Sequence, residues 1–342
     1  MKPETLALLG ATELNTSYAA TSDKSYNELQ RYWNVTSYSM LDTLHQCPRK
    51  FQLIKARAAG GAGGANNVDF AFGHSVGAGV QAWLMSKDLD AAIFNGMMAW
   101  RLNFDASIEK KNKSIWNATL AIQKYASFHE ETLEDWDVYV LPSGKPAIEL
   151  SIEVIFENGF KHYMHIDSIL QHRSTKQLAI QENKTTGFKN IEEAIYANSS
   201  QALSYAVLLD MLGLDTTYEV FYVVYSTPSR EWQLLPFSKN TTLKAEWLQD
   251  VMLDHASIAT YRKMNFYPKR GDACFAYMRR CEFFGTCNLV SNLSETATLA
   301  EEDSAEAHDF SFTLTDIISR QKAKILESDV PIQEGGNFSS ID

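Results

Sequence analysis

The chain has 342 residues, enough for one large domain or two small ones, and its 45% hydrophobic and 21% charged residues are the proportions of an ordinary globular protein. A net charge of −11 argues against a wholly basic polyanion binder, yet the eleven acidic and three basic residues from Glu295 onward carry −8 of it. No apolar run reaches bilayer-spanning length, and residues 1–20 lack the basic start and apolar core of a secretory signal, so a cytoplasmic protein with no membrane partner is expected.

Residues 1–36 are polar and weakly patterned, and read as a loosely packed arm. Ser39-Met40-Leu41-Asp42 has the form of a capping box that opens a helix, and Pro48 should end that helix just after Cys47. Gly60-Gly61-Ala62-Gly63-Gly64 reads as a flexible loop. The pattern over 72–100 predicts two helices, and Ser114 opens another that runs to about residue 134. The period then changes. Segments 147–156, 162–171 and 177–183 are rich in β-branched and aromatic residues, with Asn158-Gly159 as a hairpin turn. Residues 191–212 read as one helix, 218–225 and 231–237 as a strand pair, and 242–264 as a final helix. This order predicts an α/β fold, a mixed sheet flanked by helices, with helical N-terminal additions and a cysteine-rich C-terminal segment. The expected division is an arm (1–36), a core (37–290) and an acidic tail (291–342). The tail has an amphipathic stretch near 314–326, and is expected either to be disordered or to dock on a partner.

Two spots in the strand region carry chemistry. In His165-Ile166-Asp167 a carboxylate sits inside an apolar strand, and Glu182-Asn183-Lys184-Thr185 ends the next one. Residues two apart on a strand share a face, so Glu182 and Lys184 point the same way, and Asp167 joins them if the strands are neighbours. Phosphodiester hydrolysis needs such a set: carboxylates for Mg²⁺ or Mn²⁺, and a lysine beside the water or the developing charge. Glu149, on the preceding strand, is a plausible further acid. By spacing alone, the better reading of Glu182 and Lys184 is a surface ion pair, with Asp167 at a strand end, since E-x-K is common.

In order and separation these residues resemble the RecB-like branch of the PD-(D/E)XK nucleases, which includes CRISPR-associated and phage exonucleases. Ile166-Asp167, then Glu182-Asn183-Lys184-Thr185, then Gln201-Ala202-Leu203-Ser204-Tyr205 follow that family's motifs over roughly residues 37–290. The resemblance implies a restriction-endonuclease-like core in which Asp167 and Glu182 bind metal, Lys184 is the catalytic lysine, and Gln201 and Tyr205 face the site from one helix. The family's upstream G-x-x-x-H motif is altered here. Gly73-His74-Ser75-Val76-Gly77 has glycine at the histidine position, which leaves His74 to replace the ligand or the ligand to be missing.

Four cysteines are present: Cys47, and Cys274, Cys281 and Cys287 in a C-x6-C-x5-C run. Four thiolates complete either a zinc site or a 4Fe–4S cluster, and the close C-x2-C pairs usual for zinc are absent. In iron–sulfur members of the same family one cysteine precedes the core, in a C-P-R-K-F-like segment, and three follow it. Cys47-Pro48-Arg49-Lys50-Phe51 matches the first, and the final C-x5-C matches the end of the second, although the first gap of six departs from the usual two. The resemblance implies a 4Fe–4S cluster that staples the N-terminal helices to the C-terminal segment.

Basic clusters at Arg49-Lys50, Lys110-Lys111-Asn112-Lys113, Arg262-Lys263, Lys269-Arg270 and Arg279-Arg280 offer local positive charge, with Arg49 and Lys50 as the expected DNA contacts. The expected function is a Mg²⁺- or Mn²⁺-dependent DNA exonuclease in recombination or repair, acting on single-stranded or free-ended DNA. It would work beside a recombination or helicase partner, since no helicase motif is present, and in a host cytoplasm if phage-encoded. The alternative is a catalytically silent DNA-binding or assembly protein that keeps the fold and the cluster.

Overall fold

The computed structural model describes residues 33–60, 68–103, 109–156, 159–197, 199–211, 220–239, 241–264, 266–276, 279–289, 310–313, 315–317 and 319–320. The helical start comprises β1 (Val35–Ser37), α1 (Tyr38–Gln46), α2 (Pro48–Gly60), α3 (Val68–Ser86), α4 (Leu89–Asn103) and α5 (Ile115–Thr132). Then come β2 (Trp136–Val138), β3 (Ile148–Ile155), β4 (Lys161–His172), β5 (Leu178–Thr186), α6 (Glu193–Ala197), α7 (Ser200–Met211), β6 (Val220–Ser226), β7 (Glu231–Phe237) and α8 (Thr241–Met264). A 3₁₀ turn (Gly271–Cys274), the short pair β8 (Phe275–Ala276) and β9 (Arg279–Arg280), α9 (Phe284–Leu289) and β10 (Phe310–Thr313) complete the described residues. No helix among them is long and apolar enough to cross a membrane.

The main sheet is mixed and runs β10-β3-β4-β5-β6-β7, with β1 and β2 also pairing with β4. β5 and β6 are parallel, as are β10 and β3, while β3–β4, β4–β5 and β6–β7 are antiparallel. Helices cover both faces, as expected for a sheet whose strands are apolar on both sides. On β6, Val220, Tyr222 and Val224 face a core built with α1, α2, α7 and α8, while Phe221, Val223 and Tyr225 face one built with α3, α4 and α5.

Several expectations are corrected. The first helix begins at Tyr38, because Ser37 is still extended as the end of β1, and its side chain makes no cap bond. The boundary drawn at residue 36 therefore falls inside a strand whose three residues are all buried. Pro48 does end α1, and it also opens α2, where a missing backbone N–H has no cost. Ser114 caps α5 by accepting from the Asn117 N–H. The helix expected over 191–212 is two, α6 and α7. Part of the expected acidic tail is core: β10 buries Phe310 and Phe312 beside β3, and Ser311 donates to Glu153 (3.1 Å). Most of the Gly60–Gly64 loop, Asn158, and the 314–326 stretch apart from residues 315–317 and 319–320 lie outside the described residues.

α3 and α4 approach so closely that a Cβ at Gly96 would stand 2.9 Å from the Ser75 carbonyl oxygen, and the Ser75 hydroxyl donates to the Gly96 carbonyl (2.7 Å). Gly96→Ala is expected to destabilise by about 1–3 kcal/mol in urea titrations, despite a gain of about 1 kcal/mol in helix propensity. Unchanged or higher stability would contradict this packing.

Buried imidazoles tie β1 into the fold. The Thr36 hydroxyl bridges His162 Nδ1 (3.1 Å) and His255 Nε2 (2.9 Å), and His255 stacks on Phe160. Burial depresses His162 to about 4 and His255 to about 3, and burial together with Lys87 depresses His129 to about 3. Unfolded imidazoles bind protons below about pH 6.5, whereas these resist. Stability should therefore fall as pH drops from about 6.5 toward 4, by up to about 2 kcal/mol per imidazole at pH 5. The urea midpoint should fall from pH 7 to pH 5, and fall less in His129→Phe, whose ring would keep the contact with Trp83.

Candidate active site

The alternation of the sheet slips at the candidate residues. On β3, Ile148 faces the α3–α5 core, yet Leu150, Ile152 and Val154 face the other one. On β4, Ile166 and Ile169 share a core although they are three residues apart. The slips lie opposite one another: Glu149 and Asp167 sit between the paired residues Ile148↔Ser168 and Leu150↔Ile166. Glu149 takes a left-handed φ of 52°, a conformation that costs a non-glycine residue about 1–3 kcal/mol and tends to mark functional positions. The β4–β5 ladder stops at Ser168↔Gln181, and the Asp167 side chain takes over. Its Oδ2 accepts from the Asn183 backbone N–H (2.7 Å) and from Asn183 Nδ2 (3.2 Å).

Glu182 and Lys184 share the face of β5 that looks toward α7. The Lys184 ammonium donates to Glu182 Oε1 (2.6 Å), and so does Gln201 Nε2 (2.9 Å). Gln201 also donates to the Tyr205 hydroxyl (2.7 Å), which in turn donates to the His165 carbonyl (2.7 Å). This chain of bonds locks α7 to β4 and β5 and fixes the Glu182 rotamer. Glu182 is only 4% exposed, and its Oε2 is buried without a hydrogen-bond partner. A desolvated, unsatisfied carboxylate oxygen is costly unless a cation meets it.

Electrostatics point the same way. Burial and the carboxylates of Glu182 and Glu149 push the Asp167 carboxyl well above the usual range, against the opposing pull of Lys184. Burial lowers the Lys184 ammonium, but the charges of Glu182 and Asp167 outweigh it and hold the group above its ordinary value. Lys184 thus stays charged. Burial also opposes charge on His165, and its hydrogen bond and charge interaction with Glu149, with Asp167 and Glu182 adding, outweigh that and raise the imidazole. Crowded carboxylates that repel one another are a donor set suited to a divalent cation, which prefers a few carboxylate oxygens and retained waters.

Of the sequence candidates, Asp167, Glu182, Lys184, Gln201 and Tyr205 come together, with Glu149 opposite Asp167. His165 and Asn183 belong to the site and were missed as participants. His165 was legible as the residue two before Asp167. Asn183 works through its backbone N–H, which composition does not mark. His74 is on α3 and stacks on Phe70 (6.1 Å, 11° between rings), and a Cβ at Gly77 would meet open space. Among the described residues no three His, Cys, Asp or Glu side chains close into a ready-made cage for an ion. Asn183, Lys184 with Gln201, and His165 instead each hold one carboxylate as a separate donor.

The four cysteines lie elsewhere, and they too do not close into such a cage. Cys47, Cys274, Cys281 and Cys287 line one cavity together with Lys50, Leu53, Lys269, Arg270 and Phe283, and all four are free thiols. Cys47 follows α1, and the Arg49 N–H donates to the Pro268 carbonyl (3.1 Å), docking the C-terminal segment there. Cys281 N–H donates to the Cys274 carbonyl (2.9 Å), closing the β8–β9 hairpin between them. Arg49 is corrected as a DNA contact: it is 2% exposed, and its guanidinium donates to Gln52 inside the protein, out of reach of a phosphate backbone. Lys50 borders the cysteine cavity.

No family model and no curated protein matches the chain. Solved structures that are similar at a distance include the following two. One is a crystal structure described as a "Putative exonuclease" from Eubacterium rectale, 12% identical with a TM-score of 0.45 over 83% of this chain and all of that one. The other is SSO0001, 12% identical with a TM-score of 0.26 over 59% of this chain and 84% of that one. At these scores neither likeness carries an argument, and the functional reading rests on the site.

Proposed function

We propose that the chain is a divalent-metal-dependent deoxyribonuclease, an exonuclease with a restriction-endonuclease-like core of the PD-(D/E)XK type. One observation carries the reading: Asp167, Glu182 and Lys184 converge where the sheet slips, and Glu182 presents a buried oxygen with no partner. Asp167 and Glu182 would hold Mg²⁺ or Mn²⁺, with Glu149 opposite. The cation would polarise a phosphate oxygen and lower the pKa of a bound water. Lys184, kept protonated by its carboxylate neighbours, acts as a fixed positive charge and donor beside the phosphate rather than as a base. Gln201 and Tyr205 hold Glu182 in place, and Asn183 aims Asp167. The same reading gives Cys47, Cys274, Cys281 and Cys287 a 4Fe–4S cluster, supported by their shared cavity.

Labelled single- and double-stranded DNA incubated with Mg²⁺ or Mn²⁺ tests the reading. Wild type should degrade DNA from its ends, and Lys184→Ala should lose at least about a hundredfold in rate. Intact DNA with wild type would leave the silent DNA-binding reading, which the glycine at position 77 favours. Protein purified without oxygen should be brown and contain iron; stoichiometric zinc without iron would overturn the cluster.

A further inference from the structure

Aromatic rings are exposed on elements around β5, the strand that carries Glu182 and Lys184. Phe70 on α3 is 60% exposed, Trp116 on α5 is 71% exposed, and Phe188, four residues past Lys184, is 69% exposed. Single exposed rings are ordinary, but these are held in place. Lys113 donates to Asp69 (2.7 Å), which joins the starts of α3 and α5 that carry Phe70 and Trp116. His74 lies nearly parallel to Phe70. The backbone of Phe188 is pinned at both ends, its N–H by the Thr186 hydroxyl (3.2 Å) and its carbonyl by the Ser226 hydroxyl (2.8 Å). A Cβ at Gly73, between Phe70 and His74, would lie 3.6 Å from the Thr185 hydroxyl, and Thr185 follows Lys184.

Positive charge accompanies the rings. Lys110 and Lys113 pair through two backbone hydrogen bonds of 2.9 Å, forming a fixed turn that exposes Lys110 and Lys111. Asp69 is engaged by Lys113 and Glu109 by the Ile115 N–H (2.9 Å). Exposed rings beside lysines suit a strand whose bases are unpaired, since a duplex hides its base faces.

We infer that Phe70, His74, Trp116 and Phe188, with Lys110 and Lys111, form a base-stacking track that leads single-stranded DNA to the carboxylate site, an inference that rests on the nuclease reading for what happens at its end. Binding is measured without metal by fluorescence anisotropy, using labelled oligo-dT and a duplex of equal length. Phe70→Ala and Trp116→Ala should each weaken oligo-dT binding about tenfold and leave the duplex unchanged. Lys110→Gln with Lys111→Gln should reduce the salt slope of oligo-dT binding by about 1.4. Hydrolysis of thymidine 5′-(p-nitrophenyl phosphate) by wild type, an ester too short to reach the track, reads the carboxylate site alone. Oligo-dT affinity unchanged in both aromatic variants, or lost equally for the duplex, overturns the track. If wild type hydrolyses neither DNA nor the ester while oligo-dT binding still depends on Phe70 and Trp116, the track stands and the nuclease reading falls.

Discussion

Replacing Asp167 with Asn is expected to cut DNA cleavage at least about a thousandfold and, in metal-free protein, to raise the melting temperature. Most substitutions of a buried, hydrogen-bonded residue destabilise. The opposite sign follows here from the crowding of Glu149, Asp167 and Glu182, which raises the Asp167 carboxyl above its unfolded value. Such a group stabilises the fold while both states are protonated, below the ordinary carboxylate pKa near 4, and that contribution is lost as pH rises toward the folded value. At neutral pH the fold must hold this carboxyl protonated, where the unfolded chain would ionise it, and that is a liability. Asparagine removes the ionisation and keeps an oxygen for the Asn183 N–H. A gain of about 2–4 °C for each kcal/mol relieved is expected at pH 7.5 in chelator, shrinking toward pH 4. Adding Mn²⁺ should stabilise wild type and leave the variant unmoved, because only a formed site links binding to folding. A variant less stable than wild type without metal would mean that Asp167 is a structural carboxylate.

The second large effect belongs to the cysteines. Cys47→Ser should abolish cluster loading and lower the melting temperature by about 10 °C or more, since the free energy of forming such a site is folding free energy. The consequence is local: the Arg49–Pro268 backbone contact should open, and proteolysis should begin within residues 266–289. The aromatic contacts of Trp33, Phe51 and Tyr267 lie beside that junction and should lose order with it. Unchanged stability and iron content in Cys47→Ser would show that Cys47 is an ordinary buried thiol.

The elements with strong periods were legible from sequence. β6 reads as a strand because its residues alternate between two cores, and α5 begins where Ser114 can accept the Asn117 N–H. What sequence did not mark is whatever depends on a distant partner. β1 and β10 are three and four residues long, and each exists by pairing with a strand more than a hundred residues away. The slip at Glu149 and Asp167 was invisible for the same reason: a period-two pattern encodes which face a side chain takes, not where two neighbouring strands both change phase. Arg49 was misread because a charged residue beside a lysine looks exposed, whereas here it is buried, with its guanidinium on Gln52 and its backbone N–H on Pro268. That Glu182 and Lys184 share a face was legible because they are two apart on one strand, whereas Gln201 and Tyr205 were placed beside them only by the resemblance to a known family. The order of strands in the sheet did the rest.

End-labelled single-stranded DNA, incubated with Mn²⁺ and either wild-type protein or Glu182→Gln prepared in parallel, tests the central claim most directly. Wild type should release labelled nucleotides from the end while Glu182→Gln leaves the strand intact, because the amide cannot supply the carboxylate oxygens that the cation requires. Intact DNA in both reactions, or equal cleavage in both, would contradict it.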